Sequence, residues 1–215
     1  MNEFDGNFYR VLFEDLDPGK MRKRFLELLL HIQNVERGSI WIRQKDRYIC
    51  VESLGGPSKV DIIKGASISA KEKSIVGWVM EHGEMTVSEA AKDPRHFACF
   101  EKDMQIKSAL ILAFPLILKN AQVYGVVQIV DTSTGGSRLN LDKQYLQLLK
   151  SIVDMGAIAL NNALQHTEQI EKNTELEQTL DEIRNKVQII GQSPSFLEAM
   201  KRVRDYARTD FSVLI

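Results

Sequence analysis

The side chains best equipped for chemistry cluster between Glu89 and Asp103, where Asp93, Arg95, His96, Cys99, Phe100 and Asp103 crowd one short, irregular stretch. Asp93, His96, Cys99 and Asp103 could offer oxygen, nitrogen and sulfur ligands to a metal. Their three- and four-residue intervals equally place side chains on one helix face, and the spacing is not a strong metal signature, so no metal is assigned. Arg95 could grip a carboxylate ligand through a two-pronged pair or simply form a surface ion pair. Cys99 could serve as a redox thiol or as the anchor of a covalent chromophore, and one cysteine decides neither. Arg95, His96, Cys99 and Phe100 are therefore the candidate ligand-binding residues, on a loop of the kind that carries ligands when a scaffold holds it. No catalytic residue is assigned.

The scaffold is legible on both sides of that loop. Met21, Phe25, Leu28, Leu29 and Ile32 mark one face of an amphipathic helix from about Gly19 to Val35, with Arg22, Lys23 and Arg24 on its solvated side. Ser39 to Arg43 and Arg47 to Leu54 read as a hairpin about a charged turn. Cys50 alternates with Ile49 and Val51 and is expected to pack. Gly55, Gly56 and Pro57 break the chain, and Val60, Ile62 and Ile63 suggest another short strand segment. Ser74 to His82 returns to helix with Gly83 as its left-handed stop, and a short strand follows around Met85 to Ser88. Ala109 to Leu118 and Val123 to Val130 are apolar on both faces, as central strands covered on both sides must be. Trp41 and Trp78 are expected in the core or an interface.

From Leu141 to Val187 the pattern predicts one long helix. Tyr145, Leu148, Ile152, Met155 and Ala159, then Leu176, Leu180, Ile183 and Val187, follow the three-and-four spacing of a coiled-coil seam. Asn162, His166, Gln169 and Asn173 interrupt that seam with polar groups, while Leu160, Leu164 and Ile170 fall off it. A homodimer through residues 145–187 is the expectation.

Twenty-eight basic against 29 acidic residues leave a net charge of −1, so no global field draws the chain to nucleic acid or an anionic membrane. No apolar run approaches the roughly 20 residues of a membrane span, and no export signal opens the chain. A cytoplasmic location with reduced Cys50 and Cys99 is expected.

The order of helix, hairpin, short strand, helix, strand, irregular segment, two central strands and long helix resembles the GAF fold. Local text agrees: Ser74-Ile-Val-Gly-Trp-Val-Met-Glu-His-Gly-Glu, Glu89-Ala-Ala-Lys-Asp-Pro-Arg-His-Phe, and the closing hairpin of Pro115-Leu-Ile with Val123-Tyr-Gly-Val-Val-Gln. The resemblance implies an α+β domain, a six-stranded antiparallel sheet between helices, over residues 1–160 with its core at about 15–160. It implies a sensor but does not name the ligand, because function does not follow from a fold. The cyclic-nucleotide signature of the family is not legible, and the three-cysteine pattern of its sulfoxide-reductase relatives is absent. A ligand-free dimerisation or partner-protein module is the alternative, and a reductase a more distant one.

After a helical linker over 161–187, residues 188–215 are similar to the opening of the AAA+ domain of bacterial sigma-54-dependent activators. The resemblance rests on Ile190-Gly191-Gln192-Ser193-Pro194, the helix after it and the apolar run Phe211 to Ile215. Ser193 suits an N-cap and Pro194 the first helical position. No G-x-x-x-x-G-K loop is present, so nothing here cradles nucleotide phosphates. The resemblance implies that ATP and Mg²⁺ belong to the full-length parent, with Ile190 and Gly191 on the adenine side, and that sigma-54 RNA polymerase and DNA are met through parts outside this chain. An unidentified small molecule or regulatory protein is the implied input.

Overall fold

A computed structural model of the chain describes residues 16–55, 63–97, 99, 107–118, 121–132, 138–186 and 191–207. They form two compact units, Met1–Glu168 and Gln169–Ile215.

In the first unit, helix α1 spans Pro18–Gln33. Asp17 caps it by accepting the Lys20 amide at 2.7 Å, Pro18 takes the first turn where no amide is needed, and Asn34 ends it in the left-handed region. Strands β1 (Arg37–Gln44) and β2 (Arg47–Leu54) form the expected hairpin, followed by β3 (Ser67–Ser69), helix α2 (Ile75–His82), β4 (Thr86–Glu89), β5 (Leu110–Ile117) and β6 (Val123–Asp131). Ser74 caps α2 through the Gly77 amide, and Gly83, at φ 66°, closes it as its position promised.

The strands make one antiparallel sheet in the order β3-β2-β1-β6-β5-β4, as expected. Of the segment proposed near Val60, Ile62 and Ile63, the first two lie outside the described residues. The third strand on β2 is Ser67-Ile-Ser instead, pairing with Arg47 to Ile49. With one apolar residue between two serines, it carries too little alternation to be read from sequence. Between β1 and β6 the backbones come so close that a Cβ on Gly125 would lie 2.5 Å from the Trp41 carbonyl oxygen. Only glycine fits there.

The sheet separates two cores, and the central strands serve both by alternation. Leu112, Phe114, Leu116, Val127 and Ile129 face α1 and helix α3, which spans Lys143–Lys186. Ile111, Ala113 and Val126 face α2 together with Trp41, Tyr48, Cys50 and Ile68.

The predicted seam on α3 needs correcting over its first half. Ile152 and Ala159 lie in the domain's own core with Leu149, Val153, Ala157, Leu160 and Ala163, whereas Leu148, Met155 and Ile158 are exposed. Leu160 and Leu164, placed off the seam, pack against the sheet side. The reason is width: a helix laid on a sheet buries a broad 3.6-residue face, so both flanks of a narrower a/d stripe can be drawn in or left out. The start of α3 is tied to the end of α1, since the Asn140 amide donates to Gln33 Oε1 at 2.9 Å and the Tyr145 hydroxyl donates to the Ile32 carbonyl at 2.6 Å.

In the second unit, Leu176, Leu180 and Ile183 on α3 are exposed. Helix α4 (Pro194–Tyr206) begins as anticipated, with Ser193 Oγ accepting the Phe196 amide at 3.2 Å and Pro194 in the first turn. Val187 lies outside the described residues, as does the apolar run Phe211 to Ile215. Among the described residues no helix is long and apolar enough to cross a membrane.

Candidate functional site

Towards one end of the sheet the α2-side core opens into a cavity of about 110 Å³. Period-two geometry brings Arg37, Ser39 and Trp41 of β1 and Gln128, Val130 and Thr132 at and beyond β6 to its lining. Ile111 of β5, Ser53 and Leu54 of β2, and the N-terminal turn of α2 at Ser74, Ile75 and Val76 complete most of the wall. A single ordered water needs roughly 10–15 Å³ on the same kind of measure, so the space suits a small molecule of several heavy atoms.

Three of its hydroxyls are held in place by their neighbours. The Trp41 indole N–H donates to Ser39 Oγ at 2.8 Å, the Gly77 amide to Ser74 Oγ at 2.9 Å, and the Ile63 amide to Ser53 Oγ at 3.5 Å. Each hydroxyl thus spends an acceptor position on the protein and keeps its proton for something else. Among the described residues no aspartate or glutamate lines the space.

The four candidate residues do not converge. His96 lines the cavity, and its neighbour Phe97, which the sequence reading passed over, lines it too. Arg95 turns elsewhere: its guanidinium grips the Asp93 carboxylate through Nε at 3.0 Å and Nη2 at 2.7 Å, reaches Thr86 Oγ1 at 3.3 Å and lies 4.7 Å above the Trp78 ring. Arg95 hydrogen bonding, opposed by burial, holds the Asp93 carboxyl well below the usual carboxylate range. Cys99 is exposed and outside the lining, and Phe100 lies outside the described residues. Of the residues weighed as metal ligands, Asp103 also lies outside them, and among the described residues no three His, Cys, Asp or Glu side chains gather around a common point. Cys50 is buried, its thiol 3.2 Å from the Glu52 carbonyl.

Arg37, Ser39, Ser53, Ser74 and Gln128 also line the cavity and were not among the candidates. Two of them left a trace: Gln128 interrupts the apolar run of β6, and Ser39 opens the run Ser-Ile-Trp-Ile on β1. A polar residue at an inward strand position either finds a buried partner or faces a cavity. In the second unit, Ile190 lies outside the described residues, and Gly191 sits against the Phe196 ring, where a Cβ would come within 2.3 Å of Cδ1.

A family model described as the GAF domain matches residues 15–161. No curated protein matches the chain. Among solved structures, the A. aeolicus nlh2 GAF domain in an inactive state is 18% identical, with a TM-score of 0.55 over 75% of this chain and 93% of that one. The GAF domain of a phosphoenolpyruvate-protein phosphotransferase from Coxiella burnetii is 15% identical, with a TM-score of 0.60 over 77% and 93%. A free methionine-R-sulfoxide reductase from Neisseria meningitidis, in complex with its substrate, is 14% identical, with a TM-score of 0.54 over 74% and 87%. At these identities the likeness is one of fold alone.

Proposed function

The chain belongs to the GAF family, and from that premise we propose that it is the signal-input region of a sigma-54-dependent transcriptional activator. Residues 1–160 form the sensor, 161–187 a dimerising linker, and 188–215 the start of an AAA+ motor whose ATP and Mg²⁺ chemistry belongs to the full-length parent. Sigma-54 RNA polymerase and DNA are then partners of the parent, and the setting is the cytoplasm. The cavity carries the sensor reading, because a walled space with mixed polar and apolar lining is what a small effector requires. The motor reading is supported by Ile190-Gly191-Gln192-Ser193-Pro194 running into α4 with its N-cap in place.

Effector binding would act by changing the packing of Ile152 to Leu164, which share the sheet with the site. Such coupling requires different effector affinities in two states of α3. Native mass spectrometry of the whole chain, alongside a cavity-filling Ile111→Phe variant, tests the sensor. A reproducible added mass on the wild type that the variant lacks supports it. Bare mass in both, with a melting temperature that no fraction of a metabolite extract shifts, overturns it.

The exposed Leu148, Met155 and Ile158 favour a second reading, in which the domain is a ligand-free platform for dimerisation or a partner protein. That outcome is the one the bare-mass result would select.

A further inference from the structure

We propose that Asp131 is a positioning residue that carries the state of the cavity to helix α3. The inference deepens the sensor reading and rests on it. Strand β6 has the cavity on one face, through Gln128, Val130 and Thr132 at and beyond its end, and the α1–α3 core on the other, through Val127 and Ile129. Alternation puts Asp131 on that second face, between two cavity-lining neighbours, as it does its register partner Leu110. The Asp131 carboxylate is fully buried and accepts the Arg138 amide at 2.7 Å, with the half-exposed Arg138 guanidinium 3.9 Å away. A bond from an N–H to a buried charge is strong, and leaving it unmade is costly. The Asp131 backbone is itself fixed to the sheet, its carbonyl accepting the Ala109 amide at 2.8 Å.

From Arg138 the chain runs into α3 under further polar ties. Gln33, buried at the end of α1, accepts the Asn140 amide at 2.9 Å and donates to the Asn140 carbonyl at 3.5 Å. Asp142 accepts the Gln144 and Tyr145 amides as the helix begins, and the Tyr145 hydroxyl reaches the Ile32 carbonyl. Beyond Tyr145, Leu149, Ile152, Val153, Ala157, Leu160 and Ala163 hold α3 to the domain by apolar packing, which fixes no direction. The direction of α3 is therefore set where it starts. Of the ties at that start, the Asp131 bond comes from a strand that walls the cavity, whereas the Gln33 and Ile32 bonds come from α1. An occupant that displaces β6 thus moves the entry of α3 through Asp131, against a fixed point on α1. Two positions of that entry, bound with different affinity, are what coupling requires.

The test is amide hydrogen exchange on the whole chain in a double-mutant cycle, with the cavity-filling Ile111→Phe standing in for an occupant and Asp131→Ala cutting the tether. Ile111 lies opposite Val130 in the β5–β6 register, so a larger side chain there presses on β6. With Asp131 present, Ile111→Phe should change exchange over residues 143–150 by a factor of about two to thirty, the range for coupled sites, and leave the β1–β2 hairpin unchanged. With Asp131→Ala that factor should fall to near unity, and Asp131→Asn, which keeps an acceptor oxygen, should restore part of it. A purely structural Asp131 would raise exchange equally with and without Ile111→Phe and leave the factor as it was. That result, or no response of residues 143–150 to Ile111→Phe, overturns the proposal. If Asp131→Ala does not fold, a reduced factor in Asp131→Asn decides; if Ile111→Phe does not, Val130→Phe takes its place on the same terms. Bare mass in the native spectrum with the factor intact removes the sensor and keeps the tether, whereas added mass with equal factors removes the tether and keeps the sensor.

Discussion

The ring of Phe25 occupies the place a side chain on Gly156 would need: a Cβ there would lie 2.2 Å from Phe25 Cε2. Phe25 is buried in α1 and Gly156 lies in the first third of α3, so the missing side chain lets the two helices approach closely at this contact. Gly156→Ala should therefore destabilise the domain. Overpacking a core costs about 1–3 kcal/mol, against about 1 kcal/mol gained in helix propensity, for an expected net loss of about 1 kcal/mol. Urea unfolding checks it, and adding Phe25→Leu should recover part of the loss. A variant more stable than wild type would show that the ring gives way freely.

Tyr145 joins the same helices through a hydrogen bond to the Ile32 carbonyl at 2.6 Å. Tyr145→Phe keeps the ring and removes the bond, and should cost about 1 kcal/mol. Amide hydrogen exchange should rise at the end of α1 and the beginning of α3, leaving the β5 and β6 amides protected. Uniform change across the sheet would mean the bond is not local in effect.

Asp93 titrates below the usual carboxylate range because Arg95 hydrogen-bonds its charged form. The folded pKa is lowered relative to the unfolded one, so the pair's stabilisation is complete above about pH 4 and drains away as pH falls towards the folded value. Asp93→Asn should lower stability at pH 7 by about 1 kcal/mol, the pair being only partly buried, and should flatten the loss of stability between neutral and acid pH. Urea midpoints at pH 7 and pH 3 give the comparison. Equal acid sensitivity in the two proteins would remove the pair from the account.

Leu176, Leu180 and Ile183 are exposed on the second unit's part of α3, at the spacing of a helix seam. If that seam pairs two copies, Leu180→Lys with Ile183→Lys should lower the mass measured by sedimentation towards that of one chain while leaving the far-ultraviolet spectrum of the sensor intact. An unchanged mass would place dimerisation elsewhere, with Leu148, Met155 and Ile158 the next surface to change.

How much of this the chain announces locally varies by element. The caps of α1, α2 and α4 are visible as Asp17-Pro18, Ser74 with Gly83, and Ser193-Pro194, because capping needs only neighbours along the chain. Strands β5 and β6 are visible because burial on both faces demands a nearly continuous apolar run, broken in β6 by Gln128. β3 is not, since three residues between turns owe their strand state to the free edge of β2.

The site divides along the same line. Sequence picked out the irregular stretch after β4, from which His96 reaches the cavity lining, yet it grouped His96 with Arg95, which a bond to Asp93 turns away. It could not find Arg37, Ser39 and Gln128 as a set, for Gln128 lies far along the chain from the other two and meets them only because β1 and β6 pair in register, Ser39 opposite Gln128. Nor could it decide which apolar residues of α3 serve the domain and which remain exposed. Local sequence determined where the capped helices and the long apolar strands lie, because capping and hydrophobic period are settled within a few residues. The tertiary structure alone decided which side chains share a cavity, because that depends on strand register and on which face of each element the core takes.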